Sequence, residues 1–356
     1  MYRGIATMGL DTGQCPRWLF ERMVKLGRRA IELVVEEEGP EAFIRRLADP
    51  AWFQSLGTVL AFDWNASGLT TILTAALKES LRGDEDKLGI YICGGKGKTS
   101  LRAPEEIRQH GGDEKLVYTS KMAAKVDSSL VQDGYQLYHH TFFFSPSGAW
   151  TVVQQGMNES NATARRYHWH SSSATELIND PHSGIVSQIL NPKSQILNLT
   201  AEKSRPNRNL AVELVDAGYK TVMKEVSLLR KYWRGPHPST GSGQVQLTLL
   251  DLADNRADFH WQPVVNEDFS KSQYLDKILQ KVCWQGVKTY EQLLATAGVG
   301  PKTIRALALV GEVIYGAQPS YEDPARYSFA HGGKDAVPYP VDRKTYDRTI
   351  EILAKK

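Results

Sequence analysis

Between Thr289 and Gly316 the chain reads TYEQLLATAGVGPKTIRALALVGEVIYG, two helical periods separated by a tight Gly-Val-Gly turn. Gly298 and Gly300 allow a sharp bend that leaves backbone amides exposed, and Pro301 is preorganised for the first position of a helix. The second helix then points its positive end outward, where a phosphate can meet it. Such a bend grips a nucleic-acid backbone without reading bases. Gly298, Val299, Gly300, Lys302 and Thr303 are the expected contacts, and an ordinary pair of antiparallel helices is the plainer alternative.

The sharpest punctuation lies upstream, at GPHPSTGSG (Gly235–Gly243), where helix propensity and apolar patterning vanish together. With 356 residues, more than one core usually serves, this divides the chain into an α+β domain (1–234), a linker (235–244) and a helical domain (245–356). The expected fold class is α+β: an N-terminal mixed α/β domain with a mainly antiparallel sheet, and a C-terminal all-α domain. In the first part, Leu19, Met23, Leu26, Ala30 and Leu33 recur on one face, so Pro16–Glu38 reads as an amphipathic helix. Leu69–Leu81 reads as another, and Asn209–Trp233 as a long one interrupted only by Gly218. The GIYIC run at 89–93 suggests a buried strand. Tyr135–Phe144 and Trp150–Met157, rich in aromatic and β-branched residues, flank SPSGA and read as a hairpin.

The chain contains no run of eighteen apolar residues and no opening signal pattern, so neither a membrane partner nor secretion is expected. Cys15, Cys93 and Cys283 form neither a disulfide framework nor a metal knuckle, which fits a cytoplasmic location. A net charge of +3 proves no polyanion partner; the local distribution has to decide. From Ala201 to Pro236 there are 8 Lys and Arg against 4 Asp and Glu, an excess concentrated around Arg205. Arg165 and Arg166 stand beside Tyr167 and Trp169, a pairing that suits phosphates and stacked bases. A solvated helix face with core aromatics is the alternative.

CGGKGKTS (Cys93–Ser100) follows the strand and ends like a nucleotide-binding loop. It lacks the glycine five positions before Gly97, where Ile92 stands, and Pro104 interrupts the helix that should follow. No nucleotide cofactor is therefore expected. Lys96 and Lys98 remain candidate phosphate contacts, against an ordinary connecting turn. His139, His140, His168 and His170 cluster with Asp127, Asp133, Gln154, Gln155 and Asn158. On a strand His139 and His140 face opposite ways, whereas His168 and His170 face the same way. Asp127, His139 or His140, and Gln155 could surround a divalent ion, Mg or Mn, that activates water, with Asp127 and His140 as ligands. Histidines that merely bond backbone carbonyls are the alternative.

The Thr289–Gly316 stretch resembles the helix-hairpin-helix motif. With PVDRKTYDR (Pro340–Arg348) it is similar to the endonuclease III-like DNA glycosylases, although a longer connection intervenes and iron–sulfur cysteines are missing. That resemblance implies a carboxylate role for Asp342 and a Schiff-base slot for Lys302; Asp342 is equally a good N-cap. MYRGIATMGLDTG, ICGGKGKTSLRAP, DGYQLYHHTFFF, VVQQGMN and ARRYHW resemble the prokaryotic family known as domain of unknown function 763, which names relatives but no reaction. The expected function is a DNA-processing enzyme of repair type, foremost a metal-dependent nuclease. A glycosylase or AP lyase using Asp342 and Lys302, and a non-enzymatic DNA-binding adaptor, are the alternatives.

Overall fold

A computed structural model describes residues 15–61, 67–159, 163–187, 196–232, 273–325, 327–328 and 343–354. The linker at 235–244 and Asp342 lie outside them. The described residues begin with four helices: α1 (Arg17–Glu38), α2 (Pro40–Leu47), α3 (Pro50–Val59) and α4 (Ser67–Leu81). Leu19, Met23 and Leu26 are buried on α1, as their spacing predicts, but the stripe continues through Ile31, with Ala30 and Leu33 only partly buried. Asp49 caps α3, its side chain accepting from the amides of Ala51 and Trp52. A one-turn helix, α5 (Glu85–Leu88), leads into β1 (Tyr91–Lys96), and α6 (Ala103–Gln109) and α7 (Glu114–Ser129) follow.

Next come β2 (Val131–Gln132), β3 (Gln136–Phe144), β4 (Trp150–Asn158), β5 (Thr163–His170), β6 (His182–Ser187) and β7 (Leu197–Asn198). β1, β3, β4, β5 and β6 pair in that order, each antiparallel to its neighbour. β8 (Tyr327–Ser328) adds to β6 in parallel, and β2 pairs separately with β7. The expected hairpin is present: Phe144 faces Trp150 across the Ser145–Ala149 turn, where Gly148 takes a left-handed φ of 86°. The fold is thus mixed α+β with a mainly antiparallel sheet.

Helices cover both faces of this sheet. Phe143 and Val153 pack with Ile92 against α1 to α4, while Phe142, Val152 and Trp169 pack against α7 on the opposite face. Each fully buried large apolar side chain contributes roughly 1.5–3 kcal/mol, so coverage of this kind carries the fold. The second cluster continues through α8 (Arg205–Asp216) and α9 (Tyr219–Tyr232) into α10 (Gln273–Gln285), α11 (Tyr290–Ala295) and α12 (Pro301–Leu309). The helix expected over Asn209–Trp233 is therefore two helices, the first starting at Arg205. Gly218 adopts φ 96°, which ends α8 rather than interrupting a continuous helix. The last helix, α13 (Arg343–Ala354), packs on α1, where Arg22 grips Asp347 and the Tyr346 hydroxyl donates to the Leu60 carbonyl.

Candidate nucleic-acid interface

The turn between α11 and α12 is held from beneath. Lys125 donates to the carbonyls of Leu294 and Thr296, the latter at 2.8 Å, and Lys281 donates to that of Ala297 at 2.9 Å. The Tyr274 hydroxyl reaches the Gly298 carbonyl at 3.3 Å, and Gln132, itself bonded by Arg305, donates to the Pro301 carbonyl. The carbonyls of Leu294, Thr296, Ala297, Gly298 and Pro301 are therefore covered, two of the donors being ammonium groups. Burial, with the neighbouring Lys281 charge, lowers the pKa of Lys125. The amides of Gly298 and Gly300, by contrast, donate to no acceptor among the described residues.

Gly298 and Lys302 are exposed and Gly300 half-buried, whereas Val299 and Thr303 turn their side chains into the core. Gly298 has a φ of 95°, a left-handed conformation in which a Cβ would also meet Ile278 Cδ1 at 2.4 Å. Gly300, with φ −148° and ψ −171°, is simply extended. Only the first glycine is conformationally required.

The glycine loop after β1 is built differently from a phosphate cradle. Residues 97–102 form a 3-10 turn, and the Gly94 amide donates to the Glu106 carboxylate at 2.7 Å. That carboxylate also takes Lys78 at 2.6 Å. An anion of the protein's own thus holds the amide at the base of the loop. Lys96 and Lys98 project into solvent beyond it.

The central polar cluster divides between the two sheet faces, because successive strand residues alternate. On the α7 face, the Ser120 hydroxyl bonds His140 Nε2 at 2.8 Å and His140 Nδ1 bonds Gln154 Oε1 at 2.9 Å. Gln154 Nε2 donates to Asp127 Oδ2 at 2.5 Å, as does Trp169 Nε1 at 2.9 Å, while His182 Nε2 donates to Asp127 Oδ1. The amide oxygen can only accept, so His140 carries its proton on Nδ1 and accepts from Ser120. Burial lowers the His140 pKa, against the opposing pull of Gln154 and Asp127, and so disfavours the charged ring.

On the α4 face, Gln155 accepts from Thr70 and donates to the Ser67 carbonyl and the Tyr138 hydroxyl. His139 Nε2 meets Thr74 and Thr141, while its Nδ1 has no partner among the described residues. Burial pushes its pKa down to about 3.

The grouping of Asp127 with Gln155 is therefore corrected. Asp127 and His140 share one face through Gln154, whereas His139 and Gln155 belong to the other, and all five side chains are buried. Among the described residues no three His, Cys, Asp or Glu side chains gather as a metal-ligating group. Sequence reasoning missed His182 and Trp169 as partners of Asp127.

Arg165 and Arg166 are corrected as surface contacts, since a sheet covered on both sides buries both. Arg165 pairs with Asp133 at 2.9 Å and Asp323 at 2.6 Å, while Arg166 bonds His168 Nε2 at 2.9 Å and lies over the Phe53 ring. Arg205 is half-exposed and pairs with Glu202 and Glu176.

The chain belongs to the family described as "Protein of unknown function (DUF763)", which matches residues 4–341. No curated protein and no solved structure gives a significant match. Among the described residues no helix is long and apolar enough to cross a membrane.

Proposed function

We propose that this protein binds the DNA backbone through the turn at Ala297–Lys302, as part of DNA processing. One observation carries the reading: Lys125 and Lys281 hold the carbonyls of Leu294, Thr296 and Ala297 leading into the turn, while the amides of Gly298 and Gly300 meet no acceptor among the described residues. An anion approaching there meets amide donors, with two lysine ammonium groups close by. Lys302 stands beside those amides, and Lys96 and Lys98 offer further exposed charge.

Binding without turnover is the form of this proposal that the geometry favours. Asp127, His139, His140 and Gln155, the residues of the nuclease reading, are enclosed: Asp127 is bonded to Gln154, Trp169 and His182 on the sheet, and the other three to helices α4 and α7. Such groups fix packing more readily than they reach a phosphodiester.

The test is anisotropy titration of labelled single-stranded, duplex and branched DNA over a salt series, with Mg²⁺, Mn²⁺ or EDTA. The expected result is binding whose logarithm falls linearly with log salt, and a slope that shrinks by about one when Lys302 becomes Gln. No attraction for any oligonucleotide at low salt defeats the proposal. Metal-dependent cutting in the same samples would restore the nuclease reading.

A further inference from the structure

A cleft of about 950 Å³ opens where α7, α8 and the start of α11 meet the segment following β5. Its wall contains Arg208, which is only 4% exposed. Arg208 Nη1 donates to the carbonyls of Leu199 and Ala201, both at 2.7 Å, and Nη2 donates to Asn179 Oδ1 at 2.6 Å. A guanidinium carries five N–H donors, so these three bonds leave two unspent. All three acceptors are uncharged. The nearby Glu202 carboxylate is held by Arg205 at 2.6 and 2.8 Å.

Tyr290 stands in the same wall, close enough to feel the Arg208 charge, and its hydroxyl has no hydrogen-bond partner among the described residues. Tyr118 is 38% exposed, and its hydroxyl donates to Glu291 at 2.7 Å, an anchor that fixes the ring. The cleft therefore offers a buried cation with spare donors, a free phenolic hydroxyl and an anchored aromatic face. An oxyanion suits the first two and a planar ring the third. The volume lies in the range of small-molecule sites.

We infer that this cleft binds one nucleotide, its phosphate on Arg208 and Tyr290 and its base against Tyr118. The source is either a free nucleoside monophosphate or a nucleotide of a bound strand. The second source rests on the DNA-binding reading: α11 starts at the cleft and ends at the Ala297–Lys302 turn, and its six residues span about 9 Å.

Calorimetric titration of the full chain with dAMP, dTMP, deoxyadenosine and inorganic phosphate tests this. Saturable binding of the monophosphates is expected, with deoxyadenosine at least about tenfold weaker. Tyr290→Phe should weaken dAMP binding about fivefold and Tyr118→Ala about tenfold, each in protein with an unchanged circular dichroism spectrum. Arg208→Gln should abolish it, and the two tyrosine variants decide the matter if that protein does not fold. No saturable binding of either monophosphate, or unchanged affinity in both tyrosine variants, overturns the inference. Oligonucleotide affinity that falls in Tyr118→Ala identifies a strand as the source; affinity that does not fall identifies the free nucleotide. A wild-type protein that binds dAMP but no oligonucleotide sinks the DNA reading while the cleft assignment stands.

Discussion

His182 on β6 donates from Nε2 to Asp127 Oδ1 on α7 at 2.5 Å, and the carboxylate has no solvent exposure. Its other oxygen accepts from Gln154 on β4 and Trp169 on β5, so one side chain ties three adjacent strands to the helix that covers them. Asp127→Ala would strand three buried donors at once. A loss of about 3–5 kcal/mol is expected, read from urea denaturation, with DNA affinity preserved at temperatures where the variant is folded. Wild-type stability in Asp127→Ala would show that the network contributes nothing.

Adjacent arginines on β5 should respond differently to the same substitution. Arg165 neutralises Asp133 and Asp323, so Arg165→Met leaves a buried carboxylate unpaired and costs about 3–5 kcal/mol. Among the described residues Arg166 is bonded to His168, Thr70 and Gln54, none of them an anion, and burial lowers its pKa to about 9. Removing that charge relieves a desolvation cost that offsets the lost bonds, so Arg166→Met should stay within about 1 kcal/mol of wild type. Equal destabilisation of the two variants would contradict the assignment of their partners.

Acid should weaken the fold before the ordinary carboxylates titrate. Burial is the largest cause that lowers the pKa values of His139, His140 and His168, the first to about 3, from 6.5. Below pH 6.5 the unfolded chain therefore binds more protons at these sites than the folded one. Their contribution is complete above 6.5 and declines as pH falls toward the folded values, by up to about 1.4 kcal/mol per pH unit for each histidine. Urea midpoints measured between pH 7 and 5 should fall, and less steeply in His139→Gln. A flat profile over that interval would mean that these rings accept protons without unfolding.

Local pattern made some of this legible. Aromatic and β-branched runs around SPSGA gave the hairpin, and the two-residue period already separated His139 from His140. What the period leaves open is register: His140 pairs with Gln154 and His139 with Gln155, and that one-residue distinction decides which amide meets Asp127. His182 lies 55 residues beyond Asp127 in a segment without a motif, so nothing local announces it. Charge beside aromatics at Arg165–Trp169 looks like a surface for nucleic acid until helices on both sides of β5 bury it. Gly218 was visible as a weak point in a long helix, but its left-handed φ, which makes it an end, belongs to the folded backbone.

The two turn glycines separate folding from binding. At Gly298 the φ of 95° is unfavourable for any side chain, and a Cβ would press on Ile278 Cδ1 at 2.4 Å and approach the Tyr274 hydroxyl at 3.3 Å. Gly298→Ala should therefore lower stability by about 1–3 kcal/mol in thermal or urea denaturation. Around Gly300 a Cβ meets nothing within 4 Å, and the extended backbone accepts any residue. Gly300→Val should then leave stability within about 0.5 kcal/mol of wild type. A branched side chain there nevertheless crowds the open amide, so oligonucleotide affinity should drop at least about tenfold. Should Gly300→Val keep both its stability and its affinity, the turn is not what holds DNA.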